Sequence, residues 1–216
     1  MKDTSKGIEV YKYDKIYQKK GKLTKKGLGS KTWEEASEAF RDKWEKYGHT
    51  NEGKEYTNEI VRMRPASVLD IGCGWNEMVN NLKDKGIQNS VGLDCSCPGA
   101  DVIASAHDLP FEDKSFDLII SFDCMEHIPE EEVESCFSEF SRVSNKIFIK
   151  ICLSENTTLI DGETLHTCVK PESWWLKIIE KYFDITKIKS FKAGELNDFR
   201  HAKRTSSSVV VYGNSK

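Results

Sequence analysis

Three short stretches of the 216-residue sequence gather groups that can bind or react. The first is Asp70-Ile-Gly72-Cys-Gly74-Trp-Asn76, which follows the apolar pair Val68-Leu69. Glycine reaches positive φ without steric cost and lets backbone approach a ligand, so a strand turning here into a helix offers a seat for a nucleotide-like molecule. Taken alone, the two glycines are also explained by a purely structural turn. The second stretch is Val91-Gly-Leu-Asp94, which sets a carboxylate twenty residues beyond Gly74 at the end of the next strand. A carboxylate in that place can accept both hydroxyls of a ribose. The third is Asp123-Cys-Met-Glu126-His127. Histidine titrates near neutral pH, so His127 is a candidate general base for an acceptor hydroxyl or amine. His166, in Thr164-Leu-His-Thr-Cys168, is a second candidate, with a surface or structural role as the alternative for each histidine.

Two kinds of ligand share the geometry of a glycine loop and a following acid. A dinucleotide calls for a third glycine at position 77 and an electropositive helix start facing its pyrophosphate. Here position 77 is Glu77 and the loop begins with Asp70, both of which repel phosphate. S-adenosylmethionine carries no phosphate but a sulfonium and an ammonium, so the same acids attract it. An NAD(P)-dependent oxidoreductase therefore ranks behind a chain that binds the methyl donor.

The segment Ala106-His-Asp108-Leu-Pro-Phe111, followed by Ser115-Phe-Asp-Leu-Ile-Ile-Ser121, completes a series with Val68–Asn76 and Val91–Asp94. Over about residues 60–155 this series resembles the class I S-adenosylmethionine-dependent methyltransferases of small-molecule type. The resemblance implies that Asp70, Gly72, Cys73, Gly74, Asn76, Asp94 and Cys95 bind S-adenosylmethionine. It also implies that Asp108 binds the adenine amino group, His107 and Leu109 flank the ring, and Ser121 and Phe122 lie beside the methionine part. Asn76 stands where the family usually has a third glycine, and asparagine tolerates turn geometry better than most residues. Asp123-Cys-Met-Glu126-His127 also resembles the acidic-x-x-Glu-His stretch of ubiquinone-biosynthesis O-methyltransferases, which is associated with a divalent metal. That likeness would make Asp123, Glu126 and His127 ligands, with Asp123 in place of the usual glutamate. Many small-molecule methyltransferases carry a similar Glu-His without metal, and a metal-free site is the expectation. The Asn/Asp-Pro-Pro-Tyr signature of amino-methyltransferases is absent where Phe122-Asp-Cys-Met stands, which disfavours DNA-base methylation.

The elements that must position these groups follow from apolar periodicity. Strands are expected at Val68-Leu69, 90–93, 102–104, 116–121 and 146–151, alternating with helices over 76–85, from Pro129 and from Pro171. The nearly continuous apolar run 116–121 suits a buried central strand of a parallel sheet. Two last strands, 185–191 and 208–212, lack a convincing helix between them and should pair antiparallel. The expected fold is therefore α/β: a Rossmann-like, mostly parallel sheet with an antiparallel C-terminal strand and helices on both faces. Upstream, a helix over 55–63 ends before Pro65, and an amphipathic helix over 32–47 carries Trp33, Ala36, Phe40, Trp44 and Tyr47 on one face. Trp174 and Trp175 are read as helix-cover and core residues, and the basic 200–204 loop as solvated.

Composition fits one domain, residues 32–216, preceded by a partly ordered extension over 1–31. The extension holds ten lysines against Asp3, Glu9 and Asp14, while the whole chain has a net charge of −3. A small-molecule acceptor is expected, with RNA or protein behind it because a basic arm can attract nucleic acid. The seven cysteines lack the spacing of a disulfide framework, and Cys95-Ser-Cys97 finds no second close pair to complete a zinc site. No signal-peptide pattern and no run of roughly 20 apolar residues is present, so a cytoplasmic location without membrane contact is expected. A non-catalytic S-adenosylmethionine-binding protein is the remaining alternative.

Overall fold

The computed structural model of the protein describes residues 53–216, apart from 96, 98, 156–158, 161–162, 165, 198–201 and 204–205. The basic extension, the helix expected over 32–47, the boundary at residue 32 and most of the 200–204 loop lie outside the described residues.

A 3-10 turn at Lys54–Tyr56 leads into α1 (Thr57–Met63), which stops at Arg64 in left-handed geometry (φ 52) because Pro65 follows. The strands are β1 (Ser67–Ile71), β2 (Asn89–Asp94), β3 (Val102–Ile103), β4 (Leu118–Phe122) and β5 (Lys146–Cys152). Two longer ones, β6 (Phe183–Phe191) and β7 (Ser208–Ser215), close the chain. They form one sheet in the order β3-β2-β1-β4-β5-β7-β6. The first five pair in parallel, and β7 runs antiparallel between β5 and β6. The expected antiparallel pair is present, with its last strand inserted beside β5 rather than added at the edge.

Side chains alternate across the pleat and divide the core in two. Leu69, Ile71, Ile119, Ile147, Ile149, Val209 and Val211 face α3 (Glu130–Val143) and α4 (Glu172–Tyr182), meeting Val133, Phe137, Phe140 and Trp175. Val68, Leu118, Ile120, Phe148 and Val210 face α1 and α2 (Glu77–Asp84), meeting Tyr56, Ile60, Met78 and Leu82. Pro129 and Pro171 each stand one residue before a helix rather than inside it, where a missing N–H costs nothing. Trp175 is fully buried, and Trp174 packs edge-on against it under the Lys170 ammonium. All seven cysteines are free thiols. Among the described residues no helix is long and apolar enough to cross a membrane.

The order reverses between β1 and β4. In an open α/β sheet that switch point leaves a crevice beyond the strands' carboxyl ends, where ligands bind. The loops after β1 and β4 carry two of the chemical stretches noted above, and β2 ends in the third.

Candidate active site

The chain leaves β1 through three residues with positive φ: Gly72 (76°), Gly74 (51°) and Asn76 (62°). Asn76 adopts the left-handed geometry expected of it and precedes α2 directly. The loop hangs from β2, since the Gly72 and Cys73 amides donate to the Leu93 carbonyl at 2.8 and 3.1 Å. Asp94 extends this anchor, its carboxylate accepting from the Gly74 amide at 3.2 Å and the Cys97 amide at 2.9 Å. A Cβ on Gly92 would stand 1.7 Å from Asn76 Oδ1, so the second strand and the loop fit only through that glycine. Cys95 lies just past Asp94, half-buried.

Asp70 is 4% exposed, and burial, then the charge of Asp94, pushes its carboxyl up to about 7. A positively charged group beside it would favour the carboxylate, whereas a pyrophosphate would add to the repulsion. Cys73 and Cys124 are also pushed up, first by burial and then by neighbouring carboxylates. Both thiols therefore stay protonated and are poor nucleophiles.

The loop after β3 carries Asp108, exposed, and His107, half-buried. The His107 ring lies 2.8 Å from Ser105 Oγ and 3.3 Å from Glu132, while Leu109 turns into the core. Ser121 and Phe122 are both buried: the Ser121 hydroxyl donates to Ile71 O at 3.0 Å, and the Phe122 ring stacks on Tyr56. Their side chains thus knit β4 to β1 and to the segment before α1.

Sequence reasoning missed the brace that holds the Asp108 loop. Arg142 on α3 grips Glu139 with two nitrogens at 2.7 and 2.8 Å, and donates to the carbonyls of Phe111 at 2.8 Å and Leu109 at 3.0 Å. Glu139 in turn accepts the Leu109 amide at 2.9 Å. The two residues sit three apart on the polar side of an amphipathic helix, a spacing that reads as an ordinary surface pair. Arg142→Met should lower stability by about 2 kcal/mol, because two loop carbonyls lose a charged donor. Urea unfolding checks this, and an unchanged midpoint would contradict it.

Beyond β4 the chain passes Asp123 (φ 50) into a 3-10 turn at Met125–His127. A Cβ on Gly72 would stand 2.4 Å from Cys124 Sγ, so the loops after β1 and β4 are in contact. Asp123 pairs with Lys150 of β5. Glu126, His127 and His166 converge instead, with their ligand atoms all within 4.8 Å of one another. The two imidazoles meet edge to face at 4.9 Å. Glu126 is fully buried, and hydrogen bonding from the backbone of Glu126 and Cys152 favours the charged form of its carboxyl. Burial, then the charge of Asp123, drives its carboxyl well above the usual range. Burial lowers His166. The segment carrying His166 is tied to this turn, as Thr167 Oγ1 donates to His127 O at 2.8 Å and the Cys168 amide to Glu126 O at 2.9 Å.

A sheet in this order, with a glycine loop after β1 and an acid closing β2, is the Rossmann-like fold of the class I S-adenosylmethionine-dependent methyltransferases. Residues 69–146, from β1 to the start of β5, match the family model described as a methyltransferase domain. No curated protein matches the sequence. Among solved structures, a protein from Pyrococcus horikoshii OT3 is similar at 17% identity and TM-score 0.52, covering 94% of this chain and 99% of its own. A putative S-adenosylmethionine-dependent methyltransferase from Listeria monocytogenes is similar at 11% identity and TM-score 0.54, covering 69% and 91%. A phosphoethanolamine N-methyltransferase from Haemonchus contortus, in complex with phosphomonomethylethanolamine and S-adenosylhomocysteine, is similar at 15% identity and TM-score 0.55, covering 75% and 53%. The family match and the fold together support S-adenosylmethionine-dependent methyl transfer.

Proposed function

We propose that this chain methylates an oxygen, nitrogen or carbon nucleophile of a small molecule, with S-adenosylmethionine held in the crevice between β1 and β4. The observation that carries this reading is the contact of Gly72 with Cys124, which puts the glycine loop beside the Glu126-His127 turn. S-adenosylmethionine supplies a methyl group on a positively charged sulfur, ready for in-line displacement. Asp70 offers a carboxylate to the ligand's ammonium, and Gly72, Cys73, Gly74 and Asn76 shape the backbone around its methionine part, above Ser121 and Phe122. Asp94 accepts the ribose hydroxyls next to Cys95. Asp108 takes the adenine amino group, with His107 and the Leu109 backbone lining the ring. His127 accepts the acceptor's proton, with His166 against it. Alignment of acceptor and methyl at roughly 3 Å accounts for most of the rate.

The phosphomonomethylethanolamine in the Haemonchus contortus structure adds weight to a small-molecule acceptor. The ten-lysine arm favours RNA or protein as the second reading. Methyl-labelled S-adenosylmethionine incubated with fractionated metabolites, RNA and protein tests both, with label expected in the small-molecule fraction. Label confined to RNA or protein would overturn the acceptor assignment, and no label in any fraction would favour a non-catalytic binding protein. Once an acceptor is in hand, His127→Ala should lower kcat about 10²- to 10³-fold while leaving donor affinity within about threefold. An unchanged kcat would remove the histidine from the reaction.

A further inference from the structure

We propose that Thr167 is a positioning residue for methyl transfer, its hydroxyl holding in place the turn that presents His127 to the acceptor. This role rests on the reading of His127 as the proton acceptor. The turn is short, a single 3-10 stretch at Met125–His127. Within it the His127 amide donates to Cys124 O at 3.0 Å and the Ile128 amide to Met125 O at 3.1 Å. A helical turn leaves its last carbonyls without partners of its own. Here these are the carbonyls of Glu126 and His127, and one distant segment meets both. The Cys168 amide donates to Glu126 O at 2.9 Å, and Thr167 Oγ1 donates to His127 O at 2.8 Å across a separation of 40 residues. The first bond is made by backbone, and any residue but proline could supply it at position 168. The second exists because residue 167 carries a hydroxyl.

Both sides of this contact are anchored, so the hydroxyl transmits position. On the turn's side, Cys124 packs against the glycine loop, where a Cβ on Gly72 would stand 2.4 Å from its Sγ. On the other side, Cys168 is buried and the His166 ring is held 2.7 Å from the Ser154 carbonyl, just past β5. Ser154 Oγ in turn accepts the Ser207 amide at 2.9 Å, just before β7. The edge-to-face contact of the His127 and His166 rings is the side-chain counterpart of the same arrangement. His127 therefore stands between the donor loop and a segment fixed to the end of the sheet, with the Thr167 hydroxyl setting the spacing. A misplacement of about 1 Å can lower a rate about 10²-fold. One partly buried hydrogen bond contributes little to global stability by comparison.

Thr167→Val keeps the side chain's shape and removes the hydroxyl, and Thr167→Ser keeps the hydroxyl. The first readout needs no acceptor. In the full chain with labelled histidine, a nuclear Overhauser effect should join the ring protons of His127 and His166, be lost in Thr167→Val and return in Thr167→Ser. The melting temperature of Thr167→Val should fall by no more than about 4 °C. An undiminished ring contact in Thr167→Val would overturn the proposal. The second readout is the initial rate of methyl transfer from labelled S-adenosylmethionine to the fractionated metabolites. Thr167→Val should lower it about tenfold at unchanged S-adenosylmethionine affinity, and Thr167→Ser should stay within about threefold of the wild type. In a His127→Ala background, Thr167→Val should add less than about a twofold loss, because the hydroxyl acts through the histidine. The same loss with and without His127 would overturn the proposal. A His127→Ala rate equal to the wild type, or no labelling by any form, would bring down the proton-acceptor reading and this role with it, a failure told apart by the Thr167-dependent ring contact.

Discussion

Asp94→Ala is expected to weaken S-adenosylmethionine binding by about two to three orders of magnitude, read by isothermal titration. Two losses combine. The ribose hydroxyls lose a charged acceptor, worth about 1.5–3 kcal/mol for each hydrogen bond. The Gly74 and Cys97 amides also lose the carboxylate that pins the glycine loop to β2, so the site is no longer preorganised. Asp94→Asn keeps one carbonyl acceptor and should fall between the two. Equal affinity for Asp94→Ala and wild type would mean that the end of β2 does not meet the ribose.

The second large effect concerns pH and Asp70. With its carboxyl pushed up to about 7 in the folded chain, from an ordinary value of 3.8, the group binds a proton more tightly when folded. At pH 3 and below it is protonated in both states and does not influence stability. As pH rises from about 4 to 7 the unfolded chain loses this proton first, so folding stability declines across that window. Above pH 7 the full cost of burying the carboxylate is present, on the order of 4 kcal/mol for a shift of about three units. Asp70→Asn should therefore be more stable than the wild type at pH 8, an advantage that fades toward pH 4. Donor affinity should move the opposite way. If only the carboxylate form receives the ammonium, wild-type affinity should rise about tenfold from pH 6 to 8. Asp70→Asn should bind weakly with a flat profile. Parallel pH profiles of affinity in the two proteins would contradict the role given to Asp70.

The elements of the proposed donor half were readable because they are local. The glycine loop, Asp94 and the apolar run of β4 each lie within a few residues of chain, and strand periodicity sets their ends together at one edge of the sheet. Asn76 was readable as a turn residue, and its φ of 62° agrees. On the proposed acceptor side the sequence offered His127 and His166 only as separate candidates, because their meeting depends on which distant segments come together. Nothing in the spacing of Glu126 and His127 points to His166, whose place follows from hydrogen bonds to the carbonyls of that turn. Lys150 claims Asp123 through the pairing of β4 with β5, and Phe122 pairs with Lys150 in that register. The insertion of β7 between β5 and β6 escaped for a related reason: apolar alternation tells which residues are buried, not which strand lies beside which. Arg142 and Glu139 were hidden among the charges of an amphipathic helix, where most such pairs merely face solvent.

Titration calorimetry with S-adenosylmethionine and, separately, NADH is the most direct test of the donor site. At pH 8 the protein should bind one equivalent of S-adenosylmethionine, lose that binding in Asp94→Ala, and give no heat with NADH. Binding of NADH without binding of S-adenosylmethionine would contradict the account at its centre.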